Sequence, residues 1–165
     1  MPTDTDRSTT TFTKPSDREL VATRVFDAPR ELVFDCHTSP EHLPHWMLGP
    51  DGWTMPVCEV DLRPGGAWRH VWRKDDGSEM GMEGEYREID RPERLVQTED
   101  WGGDWPEALD TLVFTEEGGR TTLTCTVLYP SEEAREKAIA TGMQDGWAQS
   151  YDRLDDYLAT LRESR

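Results

Sequence analysis

Lysine and arginine are scarce in this chain. Its 165 residues hold 18 of them against 34 aspartates and glutamates, a formal net charge of −16. Phosphate backbones are held by clustered cations, so the balance argues against nucleic acid as a partner, and equally against an anionic membrane surface. Cysteine is scarce too. Cys36, Cys58 and Cys125 are odd in number and form no CxxC pair, which argues against a disulfide framework and fits a reducing cytoplasm. No apolar run approaches membrane-spanning length. The first seventeen residues have neither a basic start nor an apolar stretch and are not a secretion signal. No GxSxG, P-loop, GxGxxG or HExxH spacing occurs, and the motifs imply no cofactor. An acidic surface of this kind keeps a protein dispersed; salt adaptation gives the same signature.

Tryptophan, by contrast, is abundant, with seven residues. Trp68, His70 and Trp72 follow one another at period two, so one face of one strand carries all three. Met80, Met82 and Tyr86 repeat that spacing on the next strand. Large aromatic faces are buried or bind something. A curved sheet with such a face, closed by a helix, builds a pocket.

The order of elements follows from periodicity and turn signals. Residues 1–17, rich in Thr, Asp and Ser, read as a disordered tail, and 18–165 as a single domain. Leu20 to Phe26 alternates as a half-buried strand. Asp27 and Pro29 start one short helix, with Leu32, Val33 and Cys36 as its apolar stripe; Ser39 and Pro40 start a second that runs to about Trp46. Leu48 to Pro56 reads as loop. Strands follow at Val57–Leu62, Ala67–Arg73, Met80–Ile89, Leu95–Trp101, Thr111–Thr115 and Thr121–Tyr129, separated by Gly, Pro and Asp turns. Ser131 caps a final helical stretch whose stripe is Met143, Trp147, Tyr151, Leu154, Leu158 and Leu161. Gly142 is a candidate break in it, and Gly146 lets a backbone or a ligand come close. The expected class is α+β: an antiparallel sheet of about six to seven strands curved around a long C-terminal helix, with two short helices after the first strand.

Four stretches carry a family resemblance. They are Ala28-Pro29-Arg30-Glu31-Leu32-Val33-Phe34; Ser39-Pro40-Glu41-His42-Leu43 with Trp46; Arg63-Pro64-Gly65-Gly66 with Gly84-Glu85-Tyr86 and Pro92-Glu93-Arg94-Leu95; and Gly146-Trp147 followed by Tyr151, Leu154 and Leu158. In this order the chain resembles the START-like (SRPBCC, helix-grip) superfamily. More narrowly it is similar to proteins related to the C-terminal domain of the heat-shock chaperone ATPase activator. The resemblance implies a helix-grip fold and a cavity. It also implies that a chaperone or another protein is a candidate partner. Fold alone does not fix function.

The candidate ligand-binding residues are Trp68, His70, Trp72, Met80, Met82, Tyr86, Phe114, Met143, Trp147 and Tyr151 as pocket walls. Trp46, Trp53, Trp101 and Trp105, in or near loops, are candidates to gate the mouth or meet a partner, and Trp46 and Trp101 are also counted among the ligand-binding residues. The expected ligand is small and hydrophobic or aromatic. His70 is the one weak catalytic candidate, with Asp100 or Glu83 as its acid in a cyclase- or hydrolase-like reading. His37, His42 and His45 resemble a metal cluster only by composition, since Pro40 and Pro44 break the helix that would align them. Monomer and homodimer are both open.

Overall fold

The computed structural model describes residues 9–163. Eight strands form one antiparallel sheet: β1 (Thr11–Thr13), β2 (Glu19–Phe26), β3 (Trp53–Val60), β4 (Ala67–Lys74), β5 (Glu79–Asp90), β6 (Arg94–Glu99), β7 (Ala108–Glu117) and β8 (Arg120–Leu128). Their order across the sheet is β1-β2-β8-β7-β6-β5-β4-β3. Two short helices, α1 (Arg30–Thr38) and α2 (Leu43–Trp46), follow β2; α3 (Glu132–Ile139) and α4 (Met143–Glu163) close the chain. This is the expected α+β helix-grip arrangement.

Several boundaries differ from expectation. The proposed tail is corrected at Thr11–Thr13, which pairs antiparallel with Thr23–Val21. Phe12, the one large apolar residue there, packs edge-on against Trp147 at 5.5 Å. The part of that tail covering residues 1–8 lies outside the described residues. β3 begins at Trp53, inside the stretch read as loop, and a bulge between Thr54 and Val57 absorbs Pro56, which has no N–H to give a ladder. Pro29, not Asp27, is the N-cap of α1. α2 begins only at Leu43 with Pro44 in its first turn, where a missing N–H costs nothing.

The final helical stretch divides where glycine allows. Gly142 adopts φ +83°, a conformation that L side chains rarely take. Ser131 caps α3 by accepting the Ala134 N–H at 3.0 Å. On α4, Leu154 and Leu158 are fully buried. Tyr151 meets Phe26 of β2 edge-on at 5.5 Å. Arg24 ties the same helix to the sheet: wholly buried, it donates to Asp152 at 2.7 Å and Asp155 at 2.8 Å.

β4 and β5 pair so that Trp68 faces Gly84, His70 faces Met82 and Trp72 faces Met80. Gly84 is required there. A Cβ at this position would lie 2.0 Å from the Thr98 carbonyl oxygen and 2.7 Å from the Trp68 indole. Gly84→Ala is therefore expected to destabilise the fold by about 1–3 kcal/mol, because backbone, not a flexible side chain, must move. Urea unfolding measures it; an unchanged midpoint would show that β5 can shift freely.

Candidate functional site

The sheet and α4 enclose two different interiors. Towards the C-terminal half of α4, Leu154, Leu158, Phe26, Phe34 and Phe114 fill the space, with Phe34 and Phe114 at 5.2 Å. Towards its N-terminal half the space is hollow, a pocket of about 270 Å³. Met143, Gly146, Trp147, Ser150 and Tyr151 form the helical wall. Trp68, His70 and Trp72 of β4 and Met80 and Met82 of β5 form the opposite wall, as strand alternation requires. Leu95, Leu112, Cys125 and Val127 supply the base from β6, β7 and β8. The exposed lining residues Pro50, Met80 and Trp101 mark the mouth.

A loop after α2 completes the enclosure and is fastened from α4. Arg153 donates to the Trp46 and Gly49 carbonyl oxygens, both at 3.1 Å. The Gly49 N–H donates to Ser150 Oγ at 2.8 Å. Gly146 makes the approach possible, since a Cβ there would sit 3.1 Å from Pro50 Cδ. Trp72 adds a clamp from the sheet by donating its indole N–H to the Met47 carbonyl at 2.7 Å.

Two site expectations are corrected. Tyr86 and Phe114 are buried but do not line the pocket. The Trp68 indole over Gly84 stands between Met82 and Tyr86 on that face and walls the phenol off. Phe114 lies further along β7, against Phe34 and His37. Trp46 lines the pocket, but as the last residue of α2, wholly buried, with its indole N–H donating to the Cys36 carbonyl at 2.8 Å. It is part of the floor rather than a gate. Trp101 sits at the rim, stacked on Trp72 with ring centroids 5.6 Å apart. Trp53, read as a loop residue, joins the lining from β3.

The polar groups in this apolar hollow are few, and among the described residues several of their atoms have no hydrogen-bond partner. His70 is 5% exposed, and neither ring nitrogen has a hydrogen-bond partner. The Trp68 indole N–H has none either. His37 Nδ1 lies 2.8 Å from the Val33 carbonyl, which can only accept, so the proton is on Nδ1 and Nε2 presents a lone pair. That Nε2, on a lining residue, is also unpartnered. Burial lowers both imidazoles to about 4, against the small opposing effect of the Val33 bond at His37. Both rings are neutral near neutral pH.

One pair of pocket residues went unread in the sequence. Asp110 of β7 is 5% exposed, and its Oδ1 has no partner. Glu99 and Gln97 of β6 are within hydrogen-bonding reach. Burial first, then the Glu99 charge, raises the Asp110 carboxyl well above its ordinary value. Glu99 Oε2 in turn accepts the Trp101 indole N–H at 2.7 Å. The expected strand began at Thr111 and so missed this position. Continuing the row Phe114, Leu112 backwards by twos to Asp110 and Ala108 would have placed an acid on an apolar face.

The other sequence candidates stand elsewhere. Asp100 is outside the lining and accepts the Gly102 N–H at 2.8 Å. Glu83 is exposed. His42 contacts the Tyr157 hydroxyl at 2.6 Å, and His45 stacks on the same ring at 4.9 Å. Among the described residues no three His, Cys, Asp or Glu side chains gather as a metal site. Burial raises Cys58 to about 11 and Cys125 well above its ordinary value, so neither is a ready thiolate. No helix among the described residues is long and apolar enough to cross a membrane.

Residues 27–159 match the family model described as activator of Hsp90 ATPase homolog 1-like protein. The chain belongs to this family. A crystal structure of a Rhodobacter sphaeroides protein is 32% identical, with a TM-score of 0.87 over 92% of this chain and 99% of that one. The same fold recurs at lower identity. An AHSA1 protein from Silicibacter pomeroyi is 21% identical, with a TM-score of 0.70 over 86% of this chain and 98% of that one. An AHSA1-like protein from Aeromonas hydrophila is 20% identical, with a TM-score of 0.62 over 80% of this chain and 92% of that one. Comparison with curated protein sequences gave no match.

The two buried histidines give the fold a pH dependence. Unfolding lets each take a proton below its ordinary value of 6.5, whereas the folded rings resist to about 4. Stability from each is complete above the unfolded value and is lost as pH falls through this window; raised Asp110 acts in the opposite sense. Between about pH 7 and about pH 4.5, His70→Gln should lose about 2 kcal/mol less stability than the unaltered protein. Urea unfolding at both pH values checks this; parallel losses would mean that His70 titrates normally.

Proposed function

We propose that this family member is a binding module for one small hydrophobic or aromatic molecule, held between β4–β8 and the N-terminal half of α4. The observation that carries this reading is the hollow itself. Methionine, leucine, valine and six tryptophans face a space that no side chain among the described residues fills. Natural cores are close-packed, so a hollow of this size between sheet and helix is room for a molecule other than the chain itself. The walls fit the pattern of ligand sites: mainly apolar and aromatic, with few polar groups. Met80, Met82 and Met143 add adaptable shape.

An enzymatic reading through His70 has less support. The neutral ring is placed to accept or donate one proton, but neither Asp100 nor Glu83 lies beside it in the lining. A chaperone-cofactor reading follows from the family description. The loop tryptophans proposed for such a contact are engaged within the chain: Trp101 stacks on Trp72, and Lys137 lies 4.7 Å over Trp105.

Titrating neutral apolar compounds such as camphor and para-tert-butylbenzyl alcohol should shift tryptophan emission saturably. Val127→Phe or Leu112→Phe, each filling part of the base, should weaken that binding at least about tenfold while the protein stays folded. A flat titration across the panel would refute the binding reading. Unchanged affinity in both folded variants would place the ligand elsewhere.

A further inference from the structure

The pocket's polarity is one-sided. Its lining includes two carboxyl groups, Asp110 and Glu99, and no lysine or arginine. Six of the seven tryptophans surround the same space. Indole faces are the best aromatic partners for a cation, and desolvation strengthens the attraction. Two buried acceptor atoms, Asp110 Oδ1 and His37 Nε2, have no hydrogen-bond partner among the described residues, although Gln97 and Glu99 approach the Asp110 carboxyl. A buried acceptor left unmade is costly, so its natural complement is a donor brought by the ligand. The excess of acidic residues over the whole chain draws cations towards the protein.

We infer that the pocket takes a compact hydrophobic amine in its ammonium form, the cationic end at the Asp110–Glu99 pair and the apolar body among the indoles. This rests on the binding reading above and names its ligand class. Neutral His37 and His70 offer no competing positive charge. His37 Nε2 is a further acceptor for an ammonium N–H.

Burial, and then the charge of the neighbouring Glu99, raise the Asp110 carboxyl well above its ordinary value and so favour its protonated form. An arriving ammonium ion supplies the missing countercharge. Asp110 then ionises, its proton passes to solvent, and the ammonium keeps all of its own. Over the pH range in which Asp110 holds its proton, binding is thus coupled to proton release and strengthens as pH rises. The groups facing Asp110 are Glu99 and Gln97 from β6, Cys125 from β8, Tyr129 just beyond β8 and Tyr151 from α4. Burial raises Cys125, Tyr129 and Tyr151, so none of these three gains charge near neutral pH.

Three matched compounds separate the alternatives: para-tert-butylbenzylamine, para-tert-butylbenzyl alcohol and para-tert-butylbenzoate. Calorimetry on the full chain at about pH 7, in two buffers of different ionisation enthalpy, reads affinity and proton release together. The amine should bind at least about tenfold tighter than the alcohol, with net proton release, and the benzoate weakest of all. Asp110→Asn and Glu99→Gln should each remove the amine's advantage over the alcohol measured on the same variant, and Asp110→Asn should also remove the proton release. Alcohol binding equal to or tighter than amine binding would overturn the ammonium inference and leave the apolar-pocket reading standing. An amine preference that survives both substitutions would also overturn it. Binding of none of the three would overturn both.

Discussion

A strand cannot show the same face with consecutive residues, and that constraint on β4 shapes the rest of the site. With Trp68, His70 and Trp72 turned inward, Arg69 and Arg73 are turned to solvent, where Arg73 pairs with Glu79 at 2.6 Å. A slip of one residue would bury both arginines and expose both indoles, so the register is strongly fixed. Gly84 fixes it again from β5, because only that position gives the Trp68 ring its seat.

The two halves of the interior then follow from what each wall presents. Where α4 offers Leu154 and Leu158 and α1 offers Phe34, aliphatic and aromatic groups interdigitate and the core is solid. Where α4 offers Gly146 and Ser150, little reaches across. The large rings there are held at the walls by bonds to backbone, Trp72 to Met47 and Trp46 to Cys36, so they cannot collapse inward to fill the gap. Arg153 holds the covering loop against the same helix. The hollow persists because its walls are tied to something else. The unpartnered nitrogens of His70 and His37 and the Asp110 oxygen are the cost of that arrangement, and they sit where a bound molecule would meet them.

Much of this was legible in the chain. The Trp-His-Trp alternation, the methionines opposite it, the Gly142 break and the Ser131 cap each have a local cause that one segment carries alone. The short strand Thr11–Thr13 was not legible, because a three-residue edge strand with one apolar side chain has no periodicity to read. Tyr86 and Phe114 show why period is not depth. Both have the correct inward parity, yet one is screened by Trp68 and the other is packed by Phe34.

Sequence by itself determined which side chains point inward, since alternation and helical spacing are properties of a single segment, and with that the family and the order of elements. Only the tertiary structure decided which inward positions meet a partner and which face empty space. That depends on distances between elements far apart in the chain, such as β4 against α4. The same holds for Asp110. Its row placed it inward, but only the approach of Glu99 across the sheet gives this buried acid a charged neighbour, because the energy of a carboxyl is set by the charges and solvent around it.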